Sequence, residues 1–78
     1  MNNKAMEFVN KAVDILVDNY KKQNVPQYLL AHIDDAMFNA EDALKAKYGE
    51  PCVCQYRMWK TLYDMITDQF IKKVNQFD

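Results

Sequence analysis

The chain has 78 residues and a formal net charge of −1, with one glycine, two prolines, two cysteines and no serine. Hydrophobic residues make up 50% of the sequence and aromatic residues 13%, which excludes a disordered chain. The scarcity of turn residues excludes an all-β domain. The near-zero charge argues against sequence-independent nucleic-acid binding, which needs an excess of lysine and arginine. We expect a single domain near the lower size limit for a self-sufficient core.

The first predicted element is a helix over residues 4–22, with Asn2 or Asn3 available to cap it. Its apolar residues recur at helical spacing and fill one arc at about 100° per residue, while charged residues occupy the other arc. The apolar arc consists of Ala5, Phe8, Val9, Ala12, Val13, Ile15, Leu16, Val17 and Tyr20. One face of this helix is therefore expected to pack against the rest of the domain.

The second predicted helix covers residues 26–48. Pro26 suits the first helical position, and Gly49 followed by Pro51 marks the end. Lys45 and Lys47 lie in the last turn, where cations favour the negative end of the helix dipole. The predicted inward stripe consists of Leu29, Ile33, Ala36, Met37, Ala40, Ala43 and Leu44.

The third predicted helix covers residues 53–76 and carries a seam rich in aromatic rings. The seam consists of Cys52, Tyr56, Trp59, Tyr63, Ile66, Phe70, Val74 and Phe77. Four of its rings are seven residues apart, as in a coiled coil that uses rings where leucine is usual. Leu62 is expected on the flank of this seam, together with Met58 and Met65.

Short connections make sequential helices antiparallel neighbours, which predicts an all-α, three-helix antiparallel bundle. The wide apolar arcs and bulky rings favour completion of this bundle by dimerisation, so a homodimer is expected. No stretch has the roughly 18 consecutive apolar residues of a membrane span, and the start MNNKAMEF lacks the features of a secretory leader. The closely spaced Cys52 and Cys54 are typical of a reduced, cytoplasmic protein.

Phe38 lies in the acidic stretch DDAMFNAED, residues 34–42, on the side of the second helix opposite its inward stripe. Its acidic neighbours are Asp34, Asp35, Glu41 and Asp42. Three interpretations are open. The stretch is a solvated acidic face with one stray ring, since single exposed apolar residues are common. Alternatively, the ring anchors in a pocket of a partner while the acidic rim attracts basic residues, or it packs against another subunit.

The CVC motif and the single histidine are too far apart to share a metal ion within one chain. The helical rise of about 1.5 Å per residue places His32 on the order of 20 Å from the helix end that precedes Cys52. The two thiols are expected to be buried, with a redox or soft-metal role left open. A chain without serine has no serine triad, and its only histidine has no thiol nearby. The acidic residues that lie seven positions apart on the second helix, Asp34 with Glu41 and Asp35 with Asp42, occupy a convex surface without a cleft. We therefore expect no catalytic residues, no metal and no cofactor.

Lysines at the ends of the first and third helices form a second candidate site. The bundle is expected to bring them to one pole, which consists of Lys21, Lys22, Lys72 and Lys73. They either hold an anion such as a nucleotide at a subunit boundary, together with Tyr20 or Tyr28, or simply complement the dipoles of the two helix ends.

The stretch LAHIDDAMFNAEDAL resembles the second helix of the hairpin in phage-encoded sponge proteins that sequester cyclic oligonucleotides. The resemblance covers about a fifth of the chain and implies a homo-oligomer that binds a nucleotide. Where that family has a Ser-Arg stretch before this helix, the chain has QNVPQ. The residues that contact the ligand in the family therefore have no counterpart here.

These observations favour a non-catalytic protein-protein interaction module, a small inhibitor or adaptor that covers a basic surface of another protein. Phage-encoded inhibitors of host defence nucleases, including anti-CRISPR-like proteins, are of this size and style. The expected partner is a protein with a basic surface, with no direct binding to nucleic acid or membrane. The alternatives are a homo-oligomeric nucleotide-binding or sponge protein that uses the lysine pole, and a structural assembly subunit.

Overall fold

The computed structural model describes residues 3–22, 29–49 and 59–76. Within these ranges the chain forms three α-helices, α1 (Asn3–Lys21), α2 (Leu29–Tyr48) and α3 (Trp59–Asn75). They pack against one another as a three-helix bundle, which confirms the predicted all-α fold. No helix in the described ranges is long and apolar enough to cross a lipid bilayer. The predicted helix starts at residues 26 and 53 lie outside the described residues.

Contacts between helix ends show how the helices run. Lys47 at the end of α2 bonds to Glu7 near the start of α1, so these two helices are antiparallel. The rings of Phe8 and Trp59 pair near the starts of α1 and α3. Tyr20 and Phe70 pair near the ends of the same two helices. The up-down-up order expected from short connections is therefore the observed one.

Helix α1 forms the shared wall of the bundle. It packs closely against both α2 and α3, which touch each other much less. Six residues of its predicted apolar arc are fully buried, namely Ala5, Phe8, Val9, Ala12, Val13 and Leu16. Ile15, Val17 and Tyr20 at the edges of the arc are partly buried. Periodicity therefore identified the packed face of this helix correctly.

Helix α2 ends where the sequence predicts. Gly49 adopts φ of 78°, a left-handed conformation that strains residues with a Cβ atom. Its N–H donates to the carbonyl of Lys45 at 2.8 Å, which satisfies one of the free carbonyls at the helix end. The buried stripe of α2 contains most of the predicted residues, namely Ile33, Ala36, Met37, Ala40 and Leu44.

Helix α3 differs from its predicted seam. Its buried line is Leu62, Ile66 and Phe70, so Leu62, which was predicted to widen the seam on one side, lies at the centre of the packed face. Trp59 and Tyr63 are partly buried beside this line. Cys52, Tyr56 and Phe77 of the predicted seam lie outside the described residues.

Two leucines that differ in burial test this assignment of the core. Leu62→Ala should lower the free energy of unfolding by about 2–5 kcal/mol, because it leaves a cavity in a fully packed site. Leu30→Ala makes the same chemical change on the surface and should alter it by no more than about 0.5 kcal/mol. Urea unfolding followed by circular dichroism measures both values. Equal losses would contradict the assignment of Leu62 to the centre of the core.

Candidate functional site

The ring of Phe38 is exposed but anchored. It retains 51% of its accessible surface, as the outward position predicts. The ring also packs against Trp59 of α3, with centroids 5.3 Å apart and planes tilted by 38°. Trp59 in turn contacts the buried Phe8 of α1, with centroids 6.0 Å apart. Phe38 is therefore the outer end of a row of three rings that begins in the core.

Three of the four predicted acidic neighbours of Phe38 face solvent. Asp34, Asp35 and Asp42 are exposed and form no ion pair with the described residues. Glu41 was wrongly placed on this face, since only 7% of it is exposed. It lies four residues after Met37 and three before Leu44, next to the buried stripe at helical spacing. Lys45 lies 3.7 Å from its carboxylate.

Tyr63 lies beside this surface on α3, with its phenol oxygen buried and without a hydrogen-bond partner among the described residues. Burial raises the pKa of Tyr63, and the negative charges of Asp34 and Asp64 raise this pKa further. A buried hydroxyl with no partner costs free energy, because it loses its hydrogen bonds to water.

The ends of α1 and α3, which carry the predicted lysine pole, lie together, and three of its lysines have a carboxylate within ion-pair distance. The contact between Tyr20 and Phe70 brings the ends of α1 and α3 together. Lys22 lies 2.9 Å from Asp18, Lys72 lies 3.0 Å from Asp68 and Lys73 lies 3.8 Å from Asp14. An anion bound at the pole, which also includes Lys21, would have to compete with these three carboxylates.

A charged cluster that the sequence did not indicate joins the start of α1 to the end of α2. Glu7 accepts hydrogen bonds from Lys47, at 2.7 Å, and from the hydroxyl of Tyr48. The Nζ of Lys4 lies 4.8 Å from the centre of the Tyr48 ring. The bonds from Lys47 and Tyr48 lower the pKa of Glu7, and the bond with Glu7 raises the pKa of Lys47. These residues are about 40 positions apart, so helical spacing could not have paired them.

Of the three residues considered for metal binding, the structure describes only His32. Within it, no group of three or more histidine, cysteine, aspartate or glutamate residues could hold a metal ion. His32 is half-buried on α2. Cys52 and Cys54 lie outside the described residues.

Tyr63→Phe tests the cost of the buried hydroxyl. Removing a hydroxyl that has no partner should raise the free energy of unfolding by up to about 1 kcal/mol. Tyr48→Phe is the matched control, because it removes a hydroxyl that does bond to Glu7 and should lower this free energy. Urea unfolding at neutral pH measures both. A clear loss of stability in Tyr63→Phe would mean that its hydroxyl has a partner.

Glu7→Gln tests the charged cluster through its pH dependence. Because the folded protein lowers the pKa of Glu7, its ionised form adds stability above the usual glutamate pKa near 4.5. This contribution is lost as the pH falls through the lowered pKa. The wild-type protein should therefore be more stable than Glu7→Gln at pH 7, and the difference should shrink towards pH 3. Thermal unfolding across this range measures it, and a constant difference would contradict the prediction.

Comparison with known proteins gives this chain no relative. No protein-family model, no curated protein and no solved structure matched it. The features that carry functional information are therefore those of the molecule itself: the anchored ring of Phe38 and the unpaired carboxylates around it.

Proposed function

We propose that this protein is a non-catalytic interaction module, a small inhibitor or adaptor that binds a basic surface of another protein through the outer face of α2. The observation that carries the proposal is the exposed ring of Phe38, held on Trp59 and surrounded by the unpaired Asp34, Asp35 and Asp42. A large ring at the centre of a polar rim is the usual composition of an interface hot spot.

The packing on Trp59 favours binding because it restricts the ring before a partner arrives. A side chain that is already held loses less conformational entropy when an interface forms. Phe38 touches Trp59 on one side and retains half of its surface for a partner on the other. This arrangement supports an anchoring role over that of a stray surface residue.

The unpaired carboxylates favour a basic partner. Five other carboxylates of the described residues already have a lysine within ion-pair distance, namely Glu7, Asp14, Asp18, Glu41 and Asp68. The carboxylates around Phe38 can accept bonds from a partner without breaking an internal pair. A nucleic-acid-binding groove, such as that of a host defence nuclease, is the kind of surface that a phage-encoded inhibitor of this type would cover.

Electrostatic interactions also disfavour two other arrangements. A two-fold dimer through the outer face of α2 would place its carboxylates against their own copies, which costs binding energy. A homodimer would have to use a different surface. Nucleotide binding at the lysine pole gains less support, because Lys22, Lys72 and Lys73 are already paired with aspartates.

The double variant Phe38→Ala/Asp35→Lys tests this function. Proteins recovered from cell lysate on the immobilised wild-type chain are identified, and the binding of each purified candidate is then measured directly. The double variant should bind the genuine partner with at least tenfold lower affinity, because it removes the anchor and reverses a charge. Asp18→Lys makes the same charge change on α1 and should keep most of the affinity. Equal affinity of wild type and double variant for every recovered protein would refute the proposal.

A further inference from the structure

The unpaired negative charge of the described residues extends from α2 onto α3. Besides Asp34, Asp35 and Asp42, the one further carboxylate without a lysine partner in these ranges is Asp64 of α3. Lys60, four residues before Asp64 on the same helix, offsets only part of this charge. Both α2 and α3 therefore carry exposed carboxylates, although the sequence indicated only those of α2.

The ring contact between Phe38 and Trp59 shows that these parts of α2 and α3 adjoin. The negative charges of Asp34 on α2 and Asp64 on α3 both raise the pKa of Tyr63, in line with this contact. α2 and α3 pack against each other less extensively than either packs against α1, and the outward residues Leu30, Phe38 and Ile71 are exposed.

Exposed apolar side chains follow both helices along this surface. Leu30 retains 68% of its surface and lies eight residues before Phe38, with Asp34 midway between them. At about 1.5 Å per residue, the two apolar residues are about 12 Å apart along α2. Ile71 of α3 retains 48% of its surface and lies seven residues after Asp64, on the same side of its helix.

We propose, resting on the function above, that the α2–α3 surface receives a basic amphipathic helix of the partner protein. Apolar residues seven or eight positions apart on such a helix match the spacing of Leu30 and Phe38, about two helical turns. Lysine or arginine residues between them face Asp34 on one side and Asp64 on the other. A helix suits this surface better than a strand, because a bound strand usually pairs its backbone with a sheet edge and the described residues are all helical.

The single tryptophan of the chain provides the measurement, because Trp59 contacts Phe38 at the centre of this surface. Its fluorescence is followed while two synthetic peptides of about 14 leucine and lysine residues are added. One peptide has leucines at helical spacing, and the other has the same composition in strict alternation. The helical peptide should bind at least tenfold more tightly. Equal binding would overturn the helical partner and leave the proposed function standing.

Matched charge variants locate the binding surface. Asp34→Asn and Asp64→Asn should each lower the affinity for the helical peptide by about two- to fivefold, which is the usual effect of losing an exposed ion pair. Asp18→Asn removes the same charge on α1 and should leave the affinity unchanged. If Asp34→Asn lowers the affinity and Asp64→Asn does not, the peptide binds to α2 alone and the two-helix surface is refuted. Equal effects of all three variants would show non-specific attraction and overturn the inference.

The apolar contacts are tested in the same way. Leu30→Ala and Ile71→Ala should each lower the affinity for the helical peptide several-fold. Because both residues are exposed, neither substitution should lower the stability of the protein. If neither variant changes the affinity, no apolar docking occurs and the inference fails. If the wild-type fluorescence changes with protein concentration before peptide is added, a second copy of the chain occupies the surface instead.

Discussion

The apolar arc of α1 is buried against two other helices at once, and the rest of the structure depends on this contact. Both α2 and α3 turn their buried stripes towards α1, and they pack less closely against each other. In a domain of this size, most of the free energy of folding must come from such a shared core. The same arrangement leaves the outer edges of α2 and α3 side by side on one surface of the protein.

A row of aromatic rings connects that core to the surface. Phe8 is fully buried, Trp59 is intermediate and Phe38 is half-exposed, and each ring contacts the next. The position of Phe38 is therefore fixed by packing that begins inside the bundle. An interface built on a supported ring gains precision, because the scaffold holds the anchor in place before a partner binds.

The sequence predicts the features that depend on one helix alone, such as the apolar arc of α1 and the end of α2 at Gly49. It fails where the rotation of a helix against its neighbours decides the outcome. Leu62 lies in the centre of the core and Glu41 is buried, because packing selects which part of a wide apolar arc faces inward. Pairs across helices, such as Glu7 with Lys47, have no signal in periodicity.

The separation of unpaired charges gives the described part of the molecule an electric dipole moment despite a net charge close to zero. The carboxylates without a lysine lie on α2 and at Asp64, where Lys60 offsets part of the charge. Lys4 and Lys11, which form no ion pair with the described residues, lie on α1. An approaching polycation would exert a torque on such a molecule and turn its carboxylate-rich side forward before contact. In physiological salt this alignment acts only over roughly 8 Å, so it shapes the last moments of the encounter.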